Sequence, residues 1–133
     1  MIREELERIA ENYHEATDCE DKFIEDIAQH YFCSCVKENI SNNQRVCEMG
    51  YGEGITAHVL NEYFNDYLVI EGAASLVEKA HRNNPDLAVK ETLFEDFVSD
   101  EKYDLVLALH VLEHVDQPLD ILQLMKNWIK PDG

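Results

Sequence analysis

The chain has 133 residues, 45% apolar and 29% charged, which is the composition of one soluble globular domain able to bury a core. Its 28 acidic residues outweigh 11 basic ones, for a net charge of −17. A surface that negative repels phosphate backbones and anionic lipid, so nucleic-acid and membrane partners are disfavoured while small molecules and cationic partners remain open.

No apolar run approaches the roughly 20 residues of a membrane span. The N-terminus is charged and helical in pattern, without the apolar centre of a signal peptide. The first helix is expected over 2–14, with Ile2, Leu6, Ile9 and Tyr13 spaced by three and four. A second is expected over 20–39, with Phe23, Ile27, Tyr31 (or His30) and Cys35 as its buried stripe. Ala16-Thr17-Asp18-Cys19 links them and carries an N-cap signal. Ser-Asn-Asn-Gln at 41–44 is turn chemistry and closes an N-terminal helical cap, 1–44, ahead of a core over 45–133.

From residue 45 the pattern changes to strand and helix in alternation. Arg45–Met49 is a strand running into glycines, Ile55–Phe64 a helix, Tyr67–Glu71 a strand and Ala74–Arg82 a helix. Asn83-Asn84-Pro85-Asp86 is a breaker, and Leu87–Glu91 is a weaker strand. Tyr103–Leu109 has a continuous apolar run that predicts a strand buried on both faces. A last helix is expected from about Asp116 to Ile129, with Pro118 in its first turn and Leu119, Leu122, Met125 and Trp128 among its apolar residues. Such alternation predicts a parallel sheet with right-handed crossovers, and ligands in such sheets sit beyond the carboxyl ends of the strands.

Those ends carry the chemistry. Glu48-Met49-Gly50-Tyr51-Gly52-Glu53-Gly54 follows the first strand, and its glycines let the backbone turn tightly against a ligand while the next helix offers free N–H groups. A dinucleotide fingerprint would put its third small residue at Ile55, where a branched side chain obstructs the helix–strand contact. Glu48, a carboxylate near the end of a buried strand, repels a pyrophosphate and attracts a sulfonium or ammonium. Glu71 ends the second strand, where a carboxylate can accept both hydrogen bonds of a ribose diol.

On these residues the chain resembles the class I S-adenosylmethionine-dependent methyltransferases, in particular the small-molecule group related to ubiquinone-biosynthesis methyltransferases. Val46–Gly54 is similar to that family's acidic-x-Gly-x-Gly-x-Gly motif and Glu71 to its ribose-binding acid. Leu93–Phe97, Tyr103–Val115 and Trp128–Gly133 resemble three further landmarks in order. The resemblance implies a Rossmann-like α/β fold with four strands in the order 3-2-1-4, and S-adenosyl-L-methionine as cofactor. It implies that Glu48, with the Gly50 and Gly52 backbone, faces the methionine end, that Gly54 belongs to the same cofactor-binding loop, that Glu71 holds the ribose, and that Glu95 or Asp96 reaches the adenine. It places His110 at the end of strand four, beside the path of the methyl group. A catalytic base at His110 or His114 stays open, as does a purely cofactor-shaping role for the His-Val-Leu-Glu-His string.

No metal site is expected. His110 and His114 lack a third ligand, and the Cys33-Ser34-Cys35 spacing points its thiols apart on a helix. Cys19, Cys33, Cys35 and Cys47 make a poor disulfide framework, so a reduced, cytoplasmic protein is expected. The family's sheet has seven strands, which implies a chain that stops before strand five. Strand four would then be an open apolar edge, prone to self-association or completed by a partner chain. Two rivals to a methyltransferase acting on a small-molecule acceptor are a cofactor-binding module without activity and an NAD-dependent oxidoreductase. Tyr13 and His14 precede a segment that would fold over the cofactor as a lid.

Overall fold

The computed structural model describes residues 3–12 and 19–133. Ile2, Tyr13, His14 and the link Ala16-Thr17-Asp18 lie outside the described residues, and with them the lid expectation and part of the first helical stripe. In chain order the elements are α1 (Arg3–Asn12), α2 (Cys19–Asn39), β1 (Arg45–Met49), α3 (Ile55–Tyr63), β2 (Asp66–Glu71), α4 (Ala74–Asn83), β3 (Ala88–Glu91), β4 (Leu105–Leu107), a 3-10 turn at Leu112–His114, and α5 (Pro118–Trp128). The strands form one sheet in the order β3-β2-β1-β4, all pairs parallel. This is the expected Rossmann-like arrangement, with helices on both faces.

β1 runs through the middle and explains why the sheet has two cores. Strand side chains alternate in direction. Val46 joins a cluster with Cys33 of α2, Ala57 and Leu60 of α3, Val69 and Leu107. Cys47 and Met49 join a cluster with Ile70, Tyr103, Ile121 and Trp128 on the opposite face. Glu48 shares the first face and is the one charged residue of the strand's buried stretch. Cys33, Cys35 and Cys47 are free thiols, and burial pushes Cys47 up to about 12. Among the described residues no helix is long and apolar enough to cross a membrane, and no group of three His, Cys, Asp or Glu is placed to hold a metal ion.

Two expectations need correction, the buried face of α2 and the extent of β4. The stripe assigned to α2 faces outward: Phe23 is 66% exposed, Ile27 54% and Tyr31 72%. The helix buries Gln29, Cys33 and Val36 instead, because it is apolar on two sides and the second side meets α3 and β1. β4 covers three residues rather than the seven of Tyr103–Leu109. At one end, Tyr103 bonds to Trp128 and Lys130 rather than to β1. At the other, β1 leaves the sheet at Gly50, and His110 turns the β4 chain away with φ 54°. Leu105 and Val106 are accordingly half-buried, not enclosed on both faces. In α5, Leu119 and Leu122 are exposed, while Ile121 and Trp128 take the core side.

Candidate functional site

The turn after β1, the end of β2 and the loop after β4 converge on one cleft at the carboxyl edge of the sheet. Gly50, Gly52 and Gly54 turn the chain at φ 80°, 54° and 81°, where an L side chain is strained. At Gly54 a Cβ would also overlap the Tyr51 phenol, whereas at Gly52 it would meet nothing within 4 Å. The middle of the loop therefore presents bare backbone to open space.

Two acids flank this turn. Glu71 is buried, and its Oε2 accepts from the Tyr51 N–H and its Oε1 from the Ala73 N–H, each at 2.8 Å. Burial raises its pKa, and the backbone N–H bonds pull the other way. The acid ending strand two is thus fastened to the glycine loop of strand one. Glu48 is buried one strand over, and its Oε2 accepts from the Tyr67 hydroxyl at 2.7 Å. Burial pushes Glu48 up to about 8 against that hydrogen bond. Burial likewise holds Tyr67 well above its ordinary value, with the Glu48 charge adding to the effect.

The cleft comprises three adjoining pockets. The first is the most polar of the three and is lined among others by Gln29, Glu48, Gly50, Gly52, Thr56 and His110. The second is mostly apolar and shares Gly50, Gly52 and His110 with the first, adding Leu6 and Ile9 of α1, Glu71 and Phe94. The third continues under Leu6 past Glu71, Phe94 and Glu95 to Asp116. α1 is tied across this edge by the Ser75 hydroxyl, which donates to Glu7 Oε2 at 2.5 Å, and by Arg3, which donates to Glu91 at 2.6 Å.

Of the residues singled out in the sequence, Glu48, Gly50, Gly52, Glu71, Glu95 and His110 line the cleft, and Gly54 shapes the turn from behind. Asp96 is exposed beside Glu95 and does not line these three pockets. His110 lies beyond the end of β4, three residues after Leu107, with its Nδ1 3.4 Å from Glu113 Oε1. His114 lines the apolar pocket. Sequence reasoning missed Gln29, Thr56 and Phe94. Gln29 lies at helical spacing with Cys33 and Val36, but so does Asp26, and the spacing alone does not single it out. Phe94 lies in the segment already singled out, just before its two acids Glu95 and Asp96.

A parallel α/β sheet with a glycine turn and two buried acids at its carboxyl edge defines a class of proteins that hold a small ligand beside the central strand. The chain belongs to the methyltransferase-domain family, whose model matches residues 3–133. It is 30% identical over 107 residues to a ubiquinone biosynthesis O-methyltransferase of Actinobacillus pleuropneumoniae, covering 73% of this chain and 46% of that protein. N-methyltransferase 4 of Papaver somniferum is 23% identical over 77% of this chain and 31% of its own length. The chain thus spans about half the length, or less, of these curated relatives. In structure it is similar to N-methyltransferase NodS from Bradyrhizobium japonicum, solved in complex with S-adenosyl-L-homocysteine. The TM-score is 0.77 at 16% identity, covering 97% of this chain and 68% of that one. Coclaurine N-methyltransferase, solved with N-methylheliamine and S-adenosyl-L-homocysteine, gives a TM-score of 0.65 at 25% identity, over 81% of this chain and 33% of that one.

Proposed function

We propose that this chain binds S-adenosyl-L-methionine and, within the whole protein, takes part in transferring its methyl group to a small-molecule nucleophile. The observation that carries the reading is the pair of buried acids, Glu48 and Glu71, on either side of a left-handed glycine turn. A buried carboxylate facing a polar pocket without a cation is costly, and a ligand carrying ammonium and sulfonium charges relieves that cost. Glu48, with Gln29 and Thr56 beside it, suits the amino-acid end of such a ligand. Glu71 suits a ribose diol, since each carboxylate oxygen keeps acceptor capacity after its one backbone bond. Phe94, Leu6 and Ile9 offer apolar surface for a base, with Glu95 at the rim and Asp96 as the open alternative for its exocyclic amine.

When bound, the cofactor supplies a methyl carbon activated by positive sulfur. The protein's part is alignment and exclusion of water, for which α1 across the cleft and the apolar second pocket are suited. His110 is placed to accept a proton if the acceptor's nucleophile carries one. Its left-handed backbone sets the ring at the junction of the polar and apolar pockets. The division into a helical cap over 1–44 and a core over 45–133 belongs to the same proposal. So does a cytoplasmic setting, supported by the unpaired thiols of Cys33, Cys35 and Cys47.

Calorimetry with S-adenosylhomocysteine and with NAD tests the reading. S-adenosylhomocysteine binds and NAD binds more weakly or not at all. Equal or tighter binding of NAD would overturn it in favour of an oxidoreductase.

A further inference from the structure

Tyr51 stands between Gly50 and Gly52 and is buried. Its ring occupies the space that a Cβ at Gly54 would take. Its backbone N–H holds the Glu71 carboxylate at 2.8 Å, and its hydroxyl accepts a 2.9 Å bond from Asn84 Nδ2. Asn84 lies just past α4 and is itself held by three further contacts. Its N–H donates to Ala80 O at 2.8 Å, its carbonyl accepts from Leu87 N–H at 3.0 Å, and its Oδ1 lies 2.9 Å from His58 Nδ1 on α3.

A run of alternate glycines has no stiffness of its own, and ordering it costs more backbone entropy than ordering any other residue type. Something outside the run must hold it. The phenol of Tyr51 is the one large buried side chain in the turn, and a buried hydroxyl that loses its partner bears a desolvation penalty. Removal of the Asn84 amide would let the ring shift, and the Gly54 backbone packed against that ring would shift with it. The N–H that Tyr51 gives to Glu71 lies on the same residue, so the acid at the end of β2 would lose register with the loop.

We infer that Asn84 is a positioning residue of the ligand site, holding the glycine loop in its left-handed turn through the Tyr51 hydroxyl, with His58 orienting its amide. The inference rests on the reading above that this loop takes an S-adenosyl ligand. It adds a residue that does not itself line the cleft.

The test compares Asn84→Leu, Tyr51→Phe, their double variant and Asn84→Asp, in S-adenosylhomocysteine titrations and in amide exchange of the ligand-free protein. Each single variant weakens binding about three- to tenfold, the worth of one hydrogen bond. The double variant is no weaker than the worse single, since both break the same bond. Asn84→Asp recovers most of the affinity, because the tyrosine hydroxyl can then donate to the carboxylate. In exchange, the amides of Gly50–Gly54 open faster in the two single variants, while those of β1 and β2 keep wild-type rates. A merely structural role would accelerate all of them together, which would overturn the inference. Binding within twofold of wild type in Asn84→Leu, or losses that multiply in the double variant, would also overturn it. If the wild type fails to bind S-adenosylhomocysteine but the loop amides still respond selectively, the functional reading fails and the clamp stands.

Discussion

Glu48 combines full burial, a 2.7 Å bond from Tyr67 and a pKa of about 8. Unfolded, the same carboxyl titrates near its ordinary 4.5. The folded state therefore holds the proton over that interval, and its contribution to stability is full below about 4.5 and lost as pH rises through about 8. Glu48→Gln removes the loss, so it stabilises the protein at pH 8–9 relative to wild type by up to a few kcal/mol, and by much less near pH 4. Urea unfolding across pH 4–9 reads this directly, and parallel pH profiles for the two proteins would refute it. Binding of a cationic ligand favours the ionised carboxylate, so in wild type it releases a proton near neutral pH. Glu71 plays a different part: each of its oxygens accepts one backbone N–H, from Tyr51 of the loop and from Ala73, and keeps a second acceptor site for a ligand. Glu71→Ala weakens S-adenosylhomocysteine binding by roughly 1–3 kcal/mol, and an unchanged affinity in calorimetry would show that it serves only the loop.

At the scale of elements, what could be read from the residues depended on whether one physical signal dominated. β1 runs from a charged start into glycines, and its bounds follow from the sequence to the residue. The glycine turn and the acid ending β2 were legible for the same reason: both sit where a strand must stop. α2 was legible as a helix but not as a face. Phe23, Ile27 and Tyr31 form as good a stripe as Cys33 and Val36, and only the sheet decides between them. The apolar run overstates β4, because apolarity marks burial, while a ladder also needs a partner running beside it. The roles of Gln29, Thr56 and Asn84 are not legible in the sequence because they come from neighbours far along the chain. The α2 orientation has a simple test in denaturant unfolding. Phe23→Ser or Tyr31→Ser changes stability by no more than about 0.5 kcal/mol, whereas Leu60→Ala, in the core that α2 packs on, costs about 2–5 kcal/mol. A loss of the second size at Phe23 would mean that its face is covered in solution.

Across the whole molecule, two features pull in opposite directions. The sheet has an edge at β4, where Leu105–Leu107 pair with β1 on one side and, among the described residues, with no strand on the other. The N–H of Asp104 points to Arg45 of β1 and that of Tyr103 points outward to Trp128, so the alternation directs the Leu105 and Leu107 N–H groups away from β1. Unpaired groups on a half-apolar strand are a template for another chain. Against that stands the net charge of −17, which repels a second copy of the same molecule. Charge repulsion between exposed groups is screened beyond about 8–10 Å at 0.1–0.15 M salt and beyond about 3 Å at 1 M, whereas strand pairing depends on short contacts that salt leaves intact. The expected outcome is an association of the 133-residue chain that strengthens with salt: monomer at low ionic strength and low concentration, dimer or larger as either rises. Sedimentation velocity over a concentration series at 0.02 M and 0.5 M sodium chloride checks this. A monomer at every concentration in both salts would mean that the β4 edge is protected by its shortness and by the Ile129–Lys130 segment lying beside Tyr103.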